Sequence, residues 1–271
     1  MDCENPDCPY RNSLRRMLLR RSGEGVFLQG RWYCCLDCFE QAITAEFAGL
    51  LKLRDEPLSR IHRVPLGLLL LGRGVISDEQ LKSALAVQRQ SGAGRLGRLL
   101  VNLGAASAQD ISTALAAQWG CGVFPIERNS RYRDCSQLLP LALIESSRLI
   151  PVHYHDNSQM LFVAFADDID HTTLYSIERQ LGARTEPCVI TETAMDQALH
   201  EVRSVSRPSE IVFETLWDPG EMARTVRDYS LALGADQLVL ARPRRFLWVR
   251  LRFGSRSHDL LFRLPPPSPE E

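Results

Sequence analysis

The sequence has no excess of either charge and no long apolar run, and each shortage closes off a class of function. Lysine and arginine number 32 against 33 aspartates and glutamates, a formal net charge of −1. The chain as a whole therefore has no general pull on nucleic acid, and any anion recognition must be local. No apolar stretch, the leucine run at Leu68 to Leu71 included, approaches the roughly 18–20 residues that span a bilayer. Asp2 and Cys3 stand where an export signal would be apolar, so the expectation is a cytoplasmic protein without a membrane span. Catalytic signatures are missing as well. No G-x(4)-G-K-[ST] occurs, so ATP hydrolysis has no phosphate cradle, and neither G-x-S-x-G nor H-E-x-x-H is present. The expectation is a protein that is not an enzyme.

What is present is organised. At 271 residues the chain is long enough for two or three small domains. Of its eight cysteines, those in the first forty residues suggest metal rather than disulfides in a chain with no export signal. Cys3, Cys8, Cys35 and Cys38 read C-x4-C, a long spacer, then C-x2-C, a spacing that brings two thiolate pairs to one tetrahedral zinc. Between them GVFLQGRWYC alternates around Gly30 as a hairpin would, and FEQAITAEFAGLLKL follows with helical spacing. Knuckle, hairpin and helix in that order resemble a treble-clef zinc finger with a closed, structural site. Cys34 is a second contender beside Cys35; the tighter loop favours Cys35. Reduced cysteines without metal are the plainer alternative.

The chain then says one thing twice. PLGLLLLGRGVISDEQLKSALAVQ at 65–88 is echoed thirty residues later by RLGRLLVNLGAASAQDISTALAAQ at 95–118. In each copy a short helix runs to a glycine, Gly74 or Gly104, suited to a left-handed stop. A serine N-cap, Ser77 or Ser107, then opens a second helix. Each copy is expected to be a helical hairpin, two of them stacked. Read on physics alone, the leucines are core and the glutamines solvated ends. Gly67 and Gly97 are harder to place, because glycine early in a helix costs about 0.5–1 kcal/mol against alanine. Close approach by another backbone or a ligand would explain them, with Arg95 nearby to meet an anion.

The pattern R-L-G-x-x-L-x(3)-G-x(6)-L-x(3)-L-x-x-Q in tandem resembles the MshEN domain, found at the N-terminus of type II secretion and type IV pilus assembly ATPases, where the paired motifs bind cyclic di-GMP. The resemblance implies a site from Leu66, Gly67, Leu70, Gly74, Leu81, Leu85 and Gln88 in the first copy. In the second it implies Arg95, Leu96, Gly97, Leu100, Gly104, Ile111, Leu115 and Gln118. Pro65 stands where the family has arginine, with Arg63 two positions upstream. One lost arginine removes a contact worth about 1.5–3 kcal/mol.

Residues 138–202 read as an αββαβα unit, similar to the second half of the same domain. Strands are expected at 149–155, 159–165 and 184–190 and a helix at 170–181. Asp167, Asp168 and Asp170 form a turn there, and His153 and His155 share a strand face; solvated side chains are the plainer reading of both groups than metal ligands. After a polar linker, SVSRPSE, one helix and three strands follow, similar to the small domain that precedes the motor in the secretion ATPases. Its strand Leu247, Val249, Leu251, Phe253 alternates with Trp248, Arg250 and Arg252. Arg242, Arg244, Arg245, Arg250 and Arg252 make a local basic patch, best read as a solvated face or partner contact.

The expected class is multidomain α+β. It comprises a zinc finger at 1–53, tandem helices at 58–125, an α/β subdomain at 126–203, a small α+β domain at 208–264 and a disordered tail at 265–271. Two functions compete. One is a non-catalytic regulator or adaptor that binds cyclic di-GMP and acts on a secretion or pilus ATPase or an inner-membrane platform protein, truncated before any motor. The other is a ligand-free interaction scaffold with a structural zinc.

Overall fold

A computed structural model describes residues 2–9, 25–53, 63–92 and 94–265. In chain order they form β1 (Val26–Leu28), β2 (Arg31–Tyr33), α1 (Leu36–Lys52), α2 (Leu66–Gly72), α3 (Asp78–Ser91), α4 (Leu96–Asn102) and α5 (Ala108–Trp119). Next come β3 (Gly122–Val123), α6 (Tyr132–Cys135), α7 (Leu141–Ser147), β4 (Leu149–His155), β5 (Met160–Phe165), α8 (His171–Leu181), β6 (Arg184–Val189) and α9 (Glu192–Val202). The chain closes with β7 (Glu210–Phe213), α10 (Pro219–Leu233), β8 (Gln237–Ala241), β9 (Phe246–Phe253) and β10 (Arg256–Arg263). The class is mixed α+β, as expected, with two mixed sheets. The expected tail at 265–271 lies, apart from Pro265, outside the described residues. No helix among the described residues is long and apolar enough to cross a membrane.

Two compact units result. One gathers Met1–Asp55, His171–Gly182 and Arg207–Glu271; the other holds Glu56–Asp170 and Ala183–Ser206.

In the second unit the repeat begins and ends its helices where local chemistry dictates. Ser77 Oγ accepts from the Gln80 amide while Gln80 Oε1 accepts from the Ser77 amide, and Ser107 with Asp110 repeats the arrangement. Donation from Ser107 holds the Asp110 carboxyl below its ordinary value. Gly74 and Gly104 take φ of 69° and 67° just past α2 and α4, the left-handed stop that only glycine enters freely. The packing departs from two stacked hairpins. α2 lies chiefly against α5 and α3 against α4, so the first helix of each copy packs on the second helix of the other. Leu70, Ala84, Leu100 and Ala114 are fully sealed at the centre. α5 also packs on β3 and β6, joining the helices to a four-stranded sheet of order β3-β6-β5-β4. There β4 and β5 are antiparallel and β5, β6 and β3 parallel.

The first unit joins segments expected to be separate. Its six-stranded sheet runs β2-β1-β8-β9-β10-β7, with Phe27 and Leu28 of β1 parallel to Gln237 and Leu238 of β8. The cysteine-rich segment and the C-terminal strands therefore share one sheet rather than forming domains at 1–53 and 208–264. Glu210, the last residue of the expected linker, opens β7, which pairs with β10. Both faces of this sheet are covered. On one, Phe39, Ile43 and Phe47 of α1 and Met222, Ala223 and Val226 of α10 join Leu247, Val249 and Leu251 in one core. Against the other, Gln180 of α8 donates to the carbonyls of Val239 and Trp248.

The expected solvated arginine face is accordingly absent at β9. Arg250 is only 6% exposed, and its guanidinium forks onto Asp259 at 2.7 and 2.8 Å, where Oδ1 also accepts from Trp248 Nε1 at 2.8 Å. Arg252 donates to the Gln180 carbonyl at 2.6 Å. Strand alternation does not reveal this, because a strand buried on both faces still alternates in residue type when one side is a polar network.

Candidate functional site

Four cysteines meet in the first unit, and they are not quite the four expected. Sulfurs of Cys3, Cys8, Cys34 and Cys38 all lie within 4.8 Å of one another, and all four residues are buried. Cys35 stays out. It is the extended N-cap residue of α1, with its side chain packed half-buried against the hydrophobic core. Cys34, one residue earlier, leaves β2 pointing into the cluster, 3.4 Å from the Cys8 sulfur and 4.0 Å from Cys38, and its amide donates to Cys3 Sγ at 3.5 Å. The loop is therefore C-x3-C, and preference for the shorter spacing misassigned the fourth residue. Gln29 and Gly30, both at positive φ, make the tight turn that returns the chain from β1 to β2.

The donor set fits a tetrahedral cation. Thiolates about 2.3 Å from a zinc ion stand about 3.8 Å apart, between the two sulfur separations observed. The four thiols cannot share this space comfortably as anions. Burial pushes the Cys34 thiol up, helped by Cys8 and Cys3, and pushes Cys38 up to about 12. Cys3 is also raised by burial, but amide donation from Cys34 and Asn5 outweighs it and leaves the thiol below its ordinary value. A divalent cation would reverse this balance. Among the described residues no other group of three or more His, Cys, Asp or Glu side chains has ligand geometry, the turn of Asp167, Asp168 and Asp170 included. His153 rests against Phe162.

In the second unit the positions shared by the two repeat copies turn out to be mostly a pseudo-twofold scaffold. Gln118 Nε2 donates to the Val64 carbonyl and Gln88 Nε2 to the Gly94 carbonyl, each at 2.7 Å. Each glutamine thus ties its own copy to the residue two before the leucine-glycine pair of the other. The glycines obey the same symmetry. A Cβ on Gly67 would stand 2.7 Å from Leu81 and 3.3 Å from Leu96; one on Gly97, 2.8 Å from Ile111 and 3.5 Å from Leu66. Close approach is indeed why glycine is there. The approaching groups are leucine and isoleucine side chains, and Gly67, unlike Gly97, does not line the cavity described next.

The symmetry breaks at one place. Arg95, Leu96, Gly97, Ile111, Leu115 and Leu66 line a cavity of about 420 Å³ whose far wall is the α/β half, through Asp167, Asp168, Glu192 and Asp196. Arg98 completes it. Arg95 pairs with Asp167, and Arg98 with Glu192 at 3.2 Å, so both arginines reach from the second copy to the sheet half. The rim carries two arginines against four carboxylates, a mixed surface with donors for phosphate and acceptors for a base edge. The first copy contributes Leu66 but no arginine. Pro65 and Leu68 occupy the positions of Arg95 and Arg98, Leu68 is exposed, and Arg63 stacks on Trp119 with its guanidinium carbon 3.5 Å from the ring centre. Leu70, Gly74, Leu81, Leu85, Gln88, Leu100, Gly104 and Gln118 do not line the cavity.

Sequence reasoning missed Arg98, Glu192 and Asp196. The signal for Arg98 was present in the alignment of the copies, where Leu68 stands opposite it as Pro65 stands opposite Arg95. It also missed that Gly92 to Gly97 spells G-x-G-x-x-G. That stretch follows a helix rather than a strand, so it is not a dinucleotide fingerprint.

Residues 119–209 match the MshEN domain. The match begins directly after the second repeat copy. A type IV pilus assembly ATPase, PilB of Thermus thermophilus, is 29% identical over 134 residues. The alignment takes in 49% of this chain but only 15% of that relative's length. Solved structures with similarity include MshE with cdg, 26% identical, over 53% of this chain and 100% of that one with a TM-score of 0.44. The N-terminal domain of XpsE is 23% identical over 50% and 91% of the two chains, TM-score 0.37. The resemblance to the MshEN domain is borne out by the family match over residues 119–209, and that to secretion and pilus ATPases by the pilus ATPase.

Proposed function

We propose that this chain is a non-catalytic regulator or adaptor of a type II secretion or type IV pilus-like system, binding cyclic di-GMP on the helical repeats of its second unit. The observation that carries this reading is the cavity where Arg95 and Arg98 of the second copy face the carboxylates of the sheet half. A cyclic dinucleotide presents two phosphodiesters and two guanine edges rich in N–H donors. Arginine forks suit the first, and Asp167, Asp168, Glu192 or Asp196 suit the second. Leu96, Ile111 and Leu115 supply apolar walls for the bases. The remaining repeat positions act by holding the twofold frame, so the ligand-contacting set is smaller than the motif. Zinc, held by Cys3, Cys8, Cys34 and Cys38 in a treble-clef-like arrangement, serves structure: a closed four-thiolate site leaves no open coordination position.

Calorimetric titration of the purified chain with cyclic di-GMP tests the reading. Heat of binding is expected for the wild type and a loss of at least tenfold in affinity for Arg95→Ala. Absence of heat in both removes it.

A ligand-free scaffold is the second reading, and specific observations favour it. Pro65 replaces one arginine, and Asp167 already neutralises the other. Under that reading Asp167→Asn, which frees Arg95, gains no affinity for the dinucleotide.

A further inference from the structure

Asp167 has two arginines within reach, and only one of them belongs to the repeat. The second, Arg148, caps α7 in the left-handed conformation with φ 45° and ψ 54°, a backbone state that non-glycine residues seldom hold. Its Nη2 donates to Asp196 at 2.8 Å. Its Nε is sealed from solvent, has no hydrogen-bond partner and lies 3.9 Å from Asp167 Oδ2, the oxygen that Arg95 also pairs with. Arg95 is 55% exposed at its side chain, whereas Asp167 is only 18% exposed. One carboxylate oxygen therefore sits between a solvent-facing arginine that holds it and a buried N–H that lacks an acceptor.

We propose that Arg148 is a positioning residue of this site, the standby partner of Asp167 that lets Arg95 turn to an anionic ligand. This rests on the dinucleotide reading above for the identity of the ligand. Without Arg148, a phosphodiester that drew Arg95 away would leave Asp167 charged, largely buried and unpaired, which is unfavourable enough to oppose binding. A shift of about 1 Å brings Oδ2 within hydrogen-bond distance of Arg148 Nε. That movement satisfies the orphaned donor and keeps the carboxylate compensated. Asp196 stays on Nη2, so Arg148 does not have to release one acid to take the other. The sheet half thereby supplies a second cation that the repeat lost at Pro65, placed one layer behind the ligand surface.

Two measurements decide it. The first needs no ligand: thermal unfolding of Arg95→Ala, Arg148→Asn and the double variant, Asn being chosen because it tolerates the left-handed backbone. Each single change leaves Asp167 one partner, so the double is expected to lower Tm by more than the two single shifts together. Additive shifts overturn the proposal. The second is calorimetry with cyclic di-GMP. Arg148→Asn is expected to weaken binding at least tenfold, and adding Asp167→Asn to restore it to within threefold of Asp167→Asn alone. An Arg148→Asn protein that binds like wild type, or a double variant that stays weak, also overturns the proposal; the latter would mean that Arg148 acts through Asp196. If the wild type gives no heat, the dinucleotide reading fails, while the unfolding cycle still decides whether Asp167 has two partners.

Discussion

An alanine methyl at Gly97 would meet Ile111 Cγ2, and one at Gly67 would meet Leu81 Cδ1, at nearly the same separation. The outcomes should differ. Leu81 can swing the end of a flexible side chain, whereas Ile111 Cγ2 is fixed on a β-branched carbon that has little rotamer freedom in a helix. Overpacking costs about 1–3 kcal/mol, and alanine regains up to about 1 kcal/mol of helix propensity. Gly67→Ala is therefore expected within about 1 kcal/mol of neutral and Gly97→Ala clearly destabilising, measured by urea unfolding. His258 gives a pH test at the same scale. It is buried in the first unit, stacked on Tyr229, and its Nε2 has no partner. Burial lowers its pKa, with neighbouring Asp259 opposing. A folded pKa below the unfolded value means the unfolded chain takes the proton first, so stability declines as pH falls below about 6.5. Replacing His258 by Phe should flatten the decline in unfolding free energy between pH 7.5 and 5.

Elements show most clearly what the sequence disclosed and what it withheld. The helices of the repeat were legible because their signals are local: Ser77 and Ser107 with the acceptors three residues on, Gly74 and Gly104 at the stops. The strands of the αββαβα stretch were legible by alternation. Their partners were not. Nothing near Val26 announces that β1 will pair with β8, and Glu210 looked like linker because a four-residue edge strand carries little pattern. Cys34 and Cys35 could not be told apart by spacing, since the choice depends on which one leaves β2 facing inward. Two variants test that geometry. Cys34→Ser should lose bound zinc by elemental analysis, while Cys35→Ser keeps it. The glutamine ties give a further test. Gln88→Ala and Gln118→Ala should each cost about 1 kcal/mol, equal by symmetry, in urea titrations.

At the scale of the whole chain, the two units hold different ligands in the reading proposed here, so they should respond separately. Calorimetric melting is expected to show two transitions. A zinc chelator should lower only the one belonging to the cysteine-bearing unit, and cyclic di-GMP should raise only the other, by an amount that grows with its concentration. A single transition moved by both reagents would contradict the division.

The pairing of Phe27 with Gln237 has a consequence for biosynthesis. Chains generally fold from the N-terminus as they emerge, but this strand must wait for its neighbour through some two hundred further residues of translation. The repeat-bearing unit is complete well before then. The clustered cysteines thus belong to a unit whose sheet closes only after the repeat-bearing unit is made, and metal captured early would hold β1 and β2 in place until β8 arrives.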